Sequence, residues 1–546
     1  MAPNSDSDLM WPPGTVRLEV LQQPGADDAV ILQPQPSRDP NDPLNWSPWR
    51  KHLNFGLVSL YVFMVFALID CAPVTWGPMN RQLGFSYEIL NDSYAIGCGT
   101  LALGGLLLIP FALKYGRRPV YLMSTAIQLG MSVWTARMQT VADLLLINAF
   151  SNLVAALAET MVQMTIADVY FVHQRGLMNS IYLLMLTMGV SVAPIAAGYI
   201  TIYEGWRWVW WWMAVFFGAA FLGFLFFYEE TKFSSTPVEN NGPSGGSESK
   251  DKSGSNTIHF DGVDLEKLNG ISGPERQLTA ISVDHSIPKK TYKQRLALWS
   301  ASPSSLSQLA KHMYEPLFML FYFPAVGYVG LMYGFMTASI TVTITTYSDW
   351  MTLPPYNFSA AGIGLMGLPA FIGTALAAVI CGPLSDYFII YLSKRNNGIY
   401  EPEMRLWVIL MFAPFVPAGL LMFGIGLNNG QPWPILAVGL GLVGFGTTPA
   451  CSISLTYLTD AYTAIIADSM VGVTFVRNVI STIFVFALSP WITSAGITGF
   501  YISFSAIVSA ILLALLIFVF FGRKFRVKFA ERYRFFAKKQ IDSRKA

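Results

Sequence analysis

Twelve apolar runs, each long enough to cross a bilayer, dominate this chain of 546 residues. A hydrocarbon core of about 30 Å takes roughly 20 apolar residues of helix. The runs start near Leu53, Tyr94, Pro119, Ala142, Leu177, Arg207, Leu317, Ser359, Leu406, Pro434, Ala467 and Phe500. Gly, Pro or charged residues separate them, as helix ends and watery loops require. Inside lipid each backbone polar group must be satisfied within its own segment, so such runs become helices. The expected fold class is therefore an all-α membrane protein with 12 transmembrane helices. Only 12% of the residues are charged, against about 25% in a soluble domain. The 35 Lys+Arg and 33 Asp+Glu nearly cancel, which excludes a one-sided field suited to nucleic acid.

An even number of spans places both termini on one side, and charge says which. One set of short loops carries Lys114, Arg117, Arg118, Arg175, Lys394, Arg395 and Arg405; the opposite set carries Arg81, Arg137 and Arg207. The tail from Gly522 adds ten Lys/Arg against Glu531 and Asp542. The positive-inside rule then makes both termini and the central loop cytosolic. The basic tail, interleaved with Phe and Tyr, suits anionic membrane lipid. Two sequons, at Asn91 and Asn357, fall on the outer side as glycosylation candidates. The polar, Pro-rich N-terminus holds no signal peptide. Cys71, Cys98, Cys381 and Cys451 lie in or beside helices at irregular spacing, as small core residues and not as a metal or disulfide set.

The chain divides into a cytosolic tail (1–52), a six-helix bundle (53–228), a cytosolic linker (229–316), a second six-helix bundle (317–521) and a basic tail (522–546). Pro237 to Asn256 is rich in Ser, Gly and Asn, a flexible composition. Lys289 to Leu309 could form a surface helix before the seventh span. The halves echo each other. Ser93 opens the second span as Ser359 opens the eighth, and Asp168-Val169-Tyr170 closes the fourth as Asp460-Ala461-Tyr462 closes the tenth. Parallel six-helix repeats around a midplane cavity are a transporter architecture. The chain has no Walker A sequence, no GxGxxG after a strand, no HExxH and no CxxC pair. No enzyme site and no cofactor are expected, and the energy source is a gradient.

Several motifs resemble the major facilitator superfamily. Lys114-Tyr115-Gly116-Arg117-Arg118-Pro119 looks like the end of that family's loop between spans two and three. Gly189-Val190-Ser191-Val192-Ala193-Pro194-Ile195-Ala196-Ala197-Gly198 looks like the antiporter motif of its drug:proton branch, with Ala at two usual Gly positions. Asp39-Pro40-Asn41-Asp42-Pro43-Leu44-Asn45-Trp46, Asp168 to Gly176, Gly205-Trp206-Arg207-Trp208, Glu229-Glu230-Thr231 and Arg395 to Leu406 are similar to fungal twelve-helix transporters of the drug:proton antiporter type. The sequence departs from that pattern at Leu113, where the family usually has Asp. It departs again at Asn148, often Arg in the family and there linked to proton coupling, and at Asn152, often Gly. The second half keeps the front of the loop motif in Gly382-Pro383-Leu384-Ser385-Asp386. The resemblance implies the major facilitator fold and a seal between the halves at Gly189, Pro194 and Gly198.

An ionisable group at mid-membrane costs about 2.5–3.5 kcal/mol on insertion scales, so each needs a reason. Asp70, near the outer end of the first span, shares a helical face with Ser59, Phe63 and Phe66. It is either a proton or cation site or an interfacial, solvated Asp. Asn148, Asn152, Glu159 and Gln163 share one face of the fourth span and would line a wet cavity, with Glu159 its one carboxylate. A hydrogen bond to another helix is the alternative. Arg477, with Asn478 beside it, would bind an anion or pair with Glu159 or Asp70, or else snorkel to the surface. Tyr333 could bring an aromatic ring to the cavity. Arg117, Arg118, Asp168, Asp386, Arg405 and Asp460 would form charge latches between helices, or else remain solvated loop charges.

The expected function is proton-coupled secondary transport of a small organic molecule by alternating access, as efflux of a drug-like compound or secondary metabolite. Uptake of a cationic or amino-acid-like solute is the alternative, and a membrane sensor with a transporter body a more distant one. The expected partners are a small-molecule substrate and membrane lipid, without nucleic acid, for a monomer in the plasma membrane; vacuolar or peroxisomal membranes are the alternatives.

Overall fold

The computed structural model describes residues 39–232, 306–396, 399–462 and 465–545, with short pieces at 12, 14–17, 288 and 290–297. Most of the linker, including the Ser/Gly-rich stretch, lies outside the described residues. In the first half, α1 (Pro48–Asp70) and α2 (Ala72–Leu83) form one span, followed by α3 (Tyr87–Tyr115), α4 (Arg117–Arg137) and α5 (Val141–Val169). Then α6 (Val172–Ser191) and α7 (Ala193–Tyr203) share a span, and α8 (Trp206–Phe226) closes the half. A short α9 (Tyr292–Arg295) and α10 (Leu306–Tyr322) lead to α11 (Pro324–Trp350). Next come α12 (Ala360–Leu365) with α13 (Gly367–Arg395), α14 (Leu406–Phe412) with α15 (Phe415–Asn428), and α16 (Trp433–Ala461). The chain ends in α17 (Ile466–Leu513), α18 (Leu515–Lys528) and α19 (Ala530–Lys545).

Ten helical stretches among the described residues are long and apolar enough to cross a membrane. One of them, Asp468–Lys528, is 61 residues long. It makes two spans, because Gly496 at φ 72° interrupts the helix. Helix α4 supplies the twelfth; Ser124, Thr125, Gln128 and Ser132 are buried along it and lower its hydropathy.

Local chemistry sets the helix ends. The Ser86 and Ser359 side chains accept from the backbone N–H of Ile89 and Gly362, and Thr140 with Asp143 forms a reciprocal cap. Gly84, at φ 72°, ends α2. Pro316 sits inside α10 without ending it. The break falls instead at Phe323, held extended by the ring of Pro324. The expected boundary at residue 317 therefore lies within a helix. The basic tail also differs from expectation: α18 continues the last span to Lys528, and Arg526 is buried.

Two hydrophobic cores form, one centred on the first six spans and one on the last six. The halves meet where α3 packs on α17 and where α7 packs on α12. The second contact carries Pro194 and Gly198 of the expected seal, whereas Gly189 is corrected: it packs on α1 within the first half. Val192 and Pro194 divide their span into α6 and α7. A Cβ on Gly198 would lie 2.6 Å from the Ala360 carbonyl oxygen, and one on Gly189 2.6 Å from that of Phe63. The Pro194 carbonyl in turn rests on Gly364. Glycine is needed at these points because the helix backbones touch.

Candidate functional site

The centre of the molecule holds a charged bridge between the halves. Glu159 projects from α5, Arg477 and Asn478 from α17, and Tyr333 from α11. Arg477 Nη2 donates to Glu159 Oε1. Asn478 Nδ2 donates to Glu159 Oε2 at 3.2 Å, and Asn478 Oδ1 accepts from Arg477 Nε at 3.1 Å. Tyr333 OH accepts from Arg477 Nη1 at 3.4 Å, with the guanidinium 5.2 Å from its ring centroid. Glu159 is 7% exposed and Arg477 8%. Charges this dry persist when paired and hydrogen-bonded, and Asn478 supplies the extra bonds. Gly334 brings α11 within 3.3 Å of the Arg477 Cα, measured from the position of an added Cβ.

Asp70 occupies a different setting. It is the last residue of α1, and the span runs on through α2 to Leu83. Asp70 therefore lies within a continuous helical stretch of 36 residues, longer than a bilayer core requires. Pro73, early in α2, breaks the span at Cys71 without ending it. Asp70 is buried, and Tyr94 OH donates to its Oδ1 at 3.2 Å. Trp76 meets Tyr94 edge-on, ring centroids 6.2 Å apart. The Tyr347 phenol and the Cys98 thiol lie within range of the Asp70 charge, and Cys98 also within range of that of Arg477. No Lys or Arg forms an ion pair with Asp70 among the described residues. The backbone of α1 at Phe63–Ala67 closes on Gly189 of α6, and further rings near Asp70 come from α2, α3 and α11.

The polar stripe of α5 divides between two environments. Asn148 and Asn152 donate to the carbonyls one turn back, at 3.0 and 2.9 Å. They line a cavity inside the first half with Trp76, Tyr94 and Trp210. Glu159 instead faces the second half. Gln163 is half-buried and makes no side-chain hydrogen bond among the described residues. A separate cavity crosses the halves, lined by Ser191, Thr343, Tyr347 and Met366. On the face opposite the termini, Tyr87 OH and Thr352 Oγ1 lie 3.2 Å apart across the halves.

The termini-bearing face carries matching ion pairs in the two repeats. Arg117 meets Asp168 at 3.1 Å, and Arg405 meets Asp460 at 2.7 Å. Tyr400 OH also donates to Asp460, at 2.6 Å; burial and the adjacent carboxylate push this phenol up from its ordinary range, so it stays a donor. Two expected latch members stand apart. Arg118 donates to the Leu225 and Leu296 carbonyls instead of a carboxylate. Asp386 is exposed and forms no ion pair among the described residues. Of the sequons, Asn91 is corrected: it is a buried helix residue whose amide donates to the Val485 carbonyl at 2.8 Å, leaving no room for a glycan. Asn357 is exposed in the loop before α12.

Sequence reasoning missed three anchors. Glu229 clamps Arg50 at 2.5 Å, and Glu230 caps α4 by accepting from the Arg117 and Arg118 N–H groups at 2.9 and 3.0 Å. These carboxylates fasten residues 229–232 to the first bundle, so the linker starts later than expected. Glu403 and Arg526 form a buried two-pronged pair at 2.8 and 2.6 Å. The Glu229-Glu230 and Glu401-Pro402-Glu403 runs were the available signals.

The sequence model of the Major Facilitator Superfamily matches residues 58–462. An uncharacterized MFS-type transporter of Schizosaccharomyces pombe is 33% identical over 529 residues, covering 93% of this chain and 90% of that protein. The protein HOL1 of Saccharomyces cerevisiae is 31% identical over 536 residues, covering 91% and 90%. Among solved structures, a POT family transporter in complex with a thioalcohol-conjugated peptide superposes with a TM-score of 0.56. It is 12% identical, with 88% of this chain and 98% of that one covered, and it shows the fold alone.

Proposed function

The chain belongs to the major facilitator superfamily, and from that premise we propose that it is a proton-coupled carrier of a small organic cation. As a member of that family it is a multi-pass membrane transporter of a small-molecule substrate, and not an enzyme. The observation that carries the cation is Asp70: a buried carboxylate with no ion-paired Lys or Arg among the described residues, beside Tyr94, Trp76 and Tyr347. Aromatic faces and a desolvated carboxylate together recognise an ammonium group. Arg477 cannot serve an anion in this conformation, because Glu159 and Asn478 already occupy it.

A carboxylate in this setting holds either a proton or a cation. Competition for Asp70 couples the two fluxes in opposite directions, which is efflux when the outside is acidic. The bridge from Glu159 to Arg477 joins the halves and breaks as they rock. The α7–α12 contact keeps the cavity closed to proton leak throughout. The positive-inside count places the termini in the cytosol, and a plasma membrane is the proposed site. Uptake is a second reading, favoured by the presence of two separate carboxylates: a proton on Glu159 and a cation on Asp70 would travel together.

Sealed vesicles with an imposed pH gradient test both. Tetraethylammonium and aromatic amines serve as probes beside neutral and anionic analogues of similar size. Wild type is expected to move cations against the gradient of protons, and Asp70→Asn to lose this by tenfold or more. Movement of anions but not cations, or unchanged transport by Asp70→Asn, overturns the reading. Movement of the cation together with protons selects uptake.

A further inference from the structure

The termini-bearing face of the second half is filled by a piece of chain from the other end of the protein. Strand β1 (Val16–Arg17) pairs antiparallel with β2 (Ile399–Tyr400), with Val16 opposite Tyr400 and Arg17 opposite Ile399. Thr15 Oγ1 accepts from Arg526 Nη1 at 2.9 Å. Gly14 adopts φ 84°, and a Cβ there would lie 2.6 Å from the Asp460 carbonyl oxygen and 2.9 Å from the Ala461 Cα. Only glycine meets both requirements, the left-handed backbone and the close approach.

Each of these contacts lands on the charge latch of the second repeat or on its support. Tyr400 and Asp460 belong to the latch with Arg405. Arg526, through its buried pair with Glu403, ties α18 to the turn that carries Arg405. We propose that residues 14–17 form a docked strap that recognises this groove by strand addition and slows the rearrangement of the Arg405–Asp460 latch. The groove has the parts such recognition needs: a strand edge at Ile399–Tyr400, a backbone surface at Asp460–Ala461 and a guanidinium at Arg526. While the strap is in place, the ends of α13, α16 and α18 are held to one another by a segment covalently joined to the first half. The first repeat has a counterpart from a different part of the chain. Leu296 accepts from Arg118, and Tyr292 OH donates to the Phe226 carbonyl.

A disulfide across the strand pair tests the strap. The full-length protein, with Cys71, Cys98, Cys381 and Cys451 changed to Ala, carries Arg17→Cys and Ile399→Cys in membrane vesicles. The expected result is an oxidant-dependent mobility shift, transport at least threefold slower in the oxidised protein, and recovery on reduction. Adding Gly14→Val is expected to abolish the cross-link, and Gly14→Val alone to raise the transport rate. The mobility shift is read without any substrate, so it stands apart from the identity of the cargo. Absence of the cross-link overturns the docking. A cross-linked protein that transports as fast as the same protein with the disulfide reduced, or faster, overturns the control, and a cross-link that survives Gly14→Val overturns the role of Gly14.

Discussion

Glu159→Gln removes the negative half of the bridge between the bundles, and its size can be worked from the geometry. Glu159 and Arg477 are 7% and 8% exposed, so solvent screens the pair little. Removing one partner of a buried ion pair costs about 3–5 kcal/mol, because the other charge is left dry and uncompensated. The amide of Gln still accepts one hydrogen bond, and the Tyr333 ring stays 5.2 Å from the guanidinium. Both favour the lower end, about 3 kcal/mol, which is roughly a 10²-fold shift between conformations. The penalty falls on the conformation seen here, where the bridge spans the halves, and not on one in which Arg477 reaches water. Thr343→Cys in a cysteine-free background reports the shift. Thr343 is 2% exposed and lines the cavity between the halves. A membrane-impermeant maleimide should label it tens of times faster in Glu159→Gln, until the open population saturates. The double variant Glu159→Gln with Arg477→Gln should return most of the way to the parental rate. Labelling within twofold of the parent, or a double variant no closer to it than the single, would refute the bridge as a lock between the halves.

Three further outcomes are expected. Gly198→Val forces α7 away from the Ala360 carbonyl, where even a Cβ would sit at 2.6 Å; vesicles carrying it should leak protons, read with an entrapped pH-sensitive dye, and an intact pH gradient would count against the seal. Arg526→Ala strands Glu403, whose side chain is 7% exposed, and should cost about 3–5 kcal/mol of stability, seen as a lowered melting temperature in detergent; Arg526→Met with Glu403→Leu should recover most of it. Any endoglycosidase-sensitive mass should vanish in Asn357→Gln and persist in Asn91→Gln, since Asn91 is buried against α17.

The stripe on α5 shows how far periodicity reaches. Asn148, Asn152 and Glu159 lie on one helical face, as their spacing requires. Yet α5 is 29 residues long and passes two neighbours. Gly97 and Gly104 let α3 close on its outer portion, with Asn152 against Gly97 and the Leu153 carbonyl against Gly104. Further along, α17 takes that place and Glu159 meets Arg477. A helical wheel has no term for which neighbour lies at which depth. Asp70 shows the same limit. Its helix was legible, but counting apolar residues could not show that Pro73 breaks the span and leaves it running.

The sequence by itself determined the number of spans, their division into two halves and the side on which the basic loops gather. Insertion into lipid is decided segment by segment, by apolar length and flanking charge, so those properties are local and additive. The tertiary structure decided which polar groups meet. Arg477 and Glu159 are 318 positions apart, and Arg526 and Glu403 123 apart. Such pairings depend on the rotation and depth of each helix in the bundle. Those are set by close backbone contacts at a few glycines and by the penalty for leaving a buried charge alone.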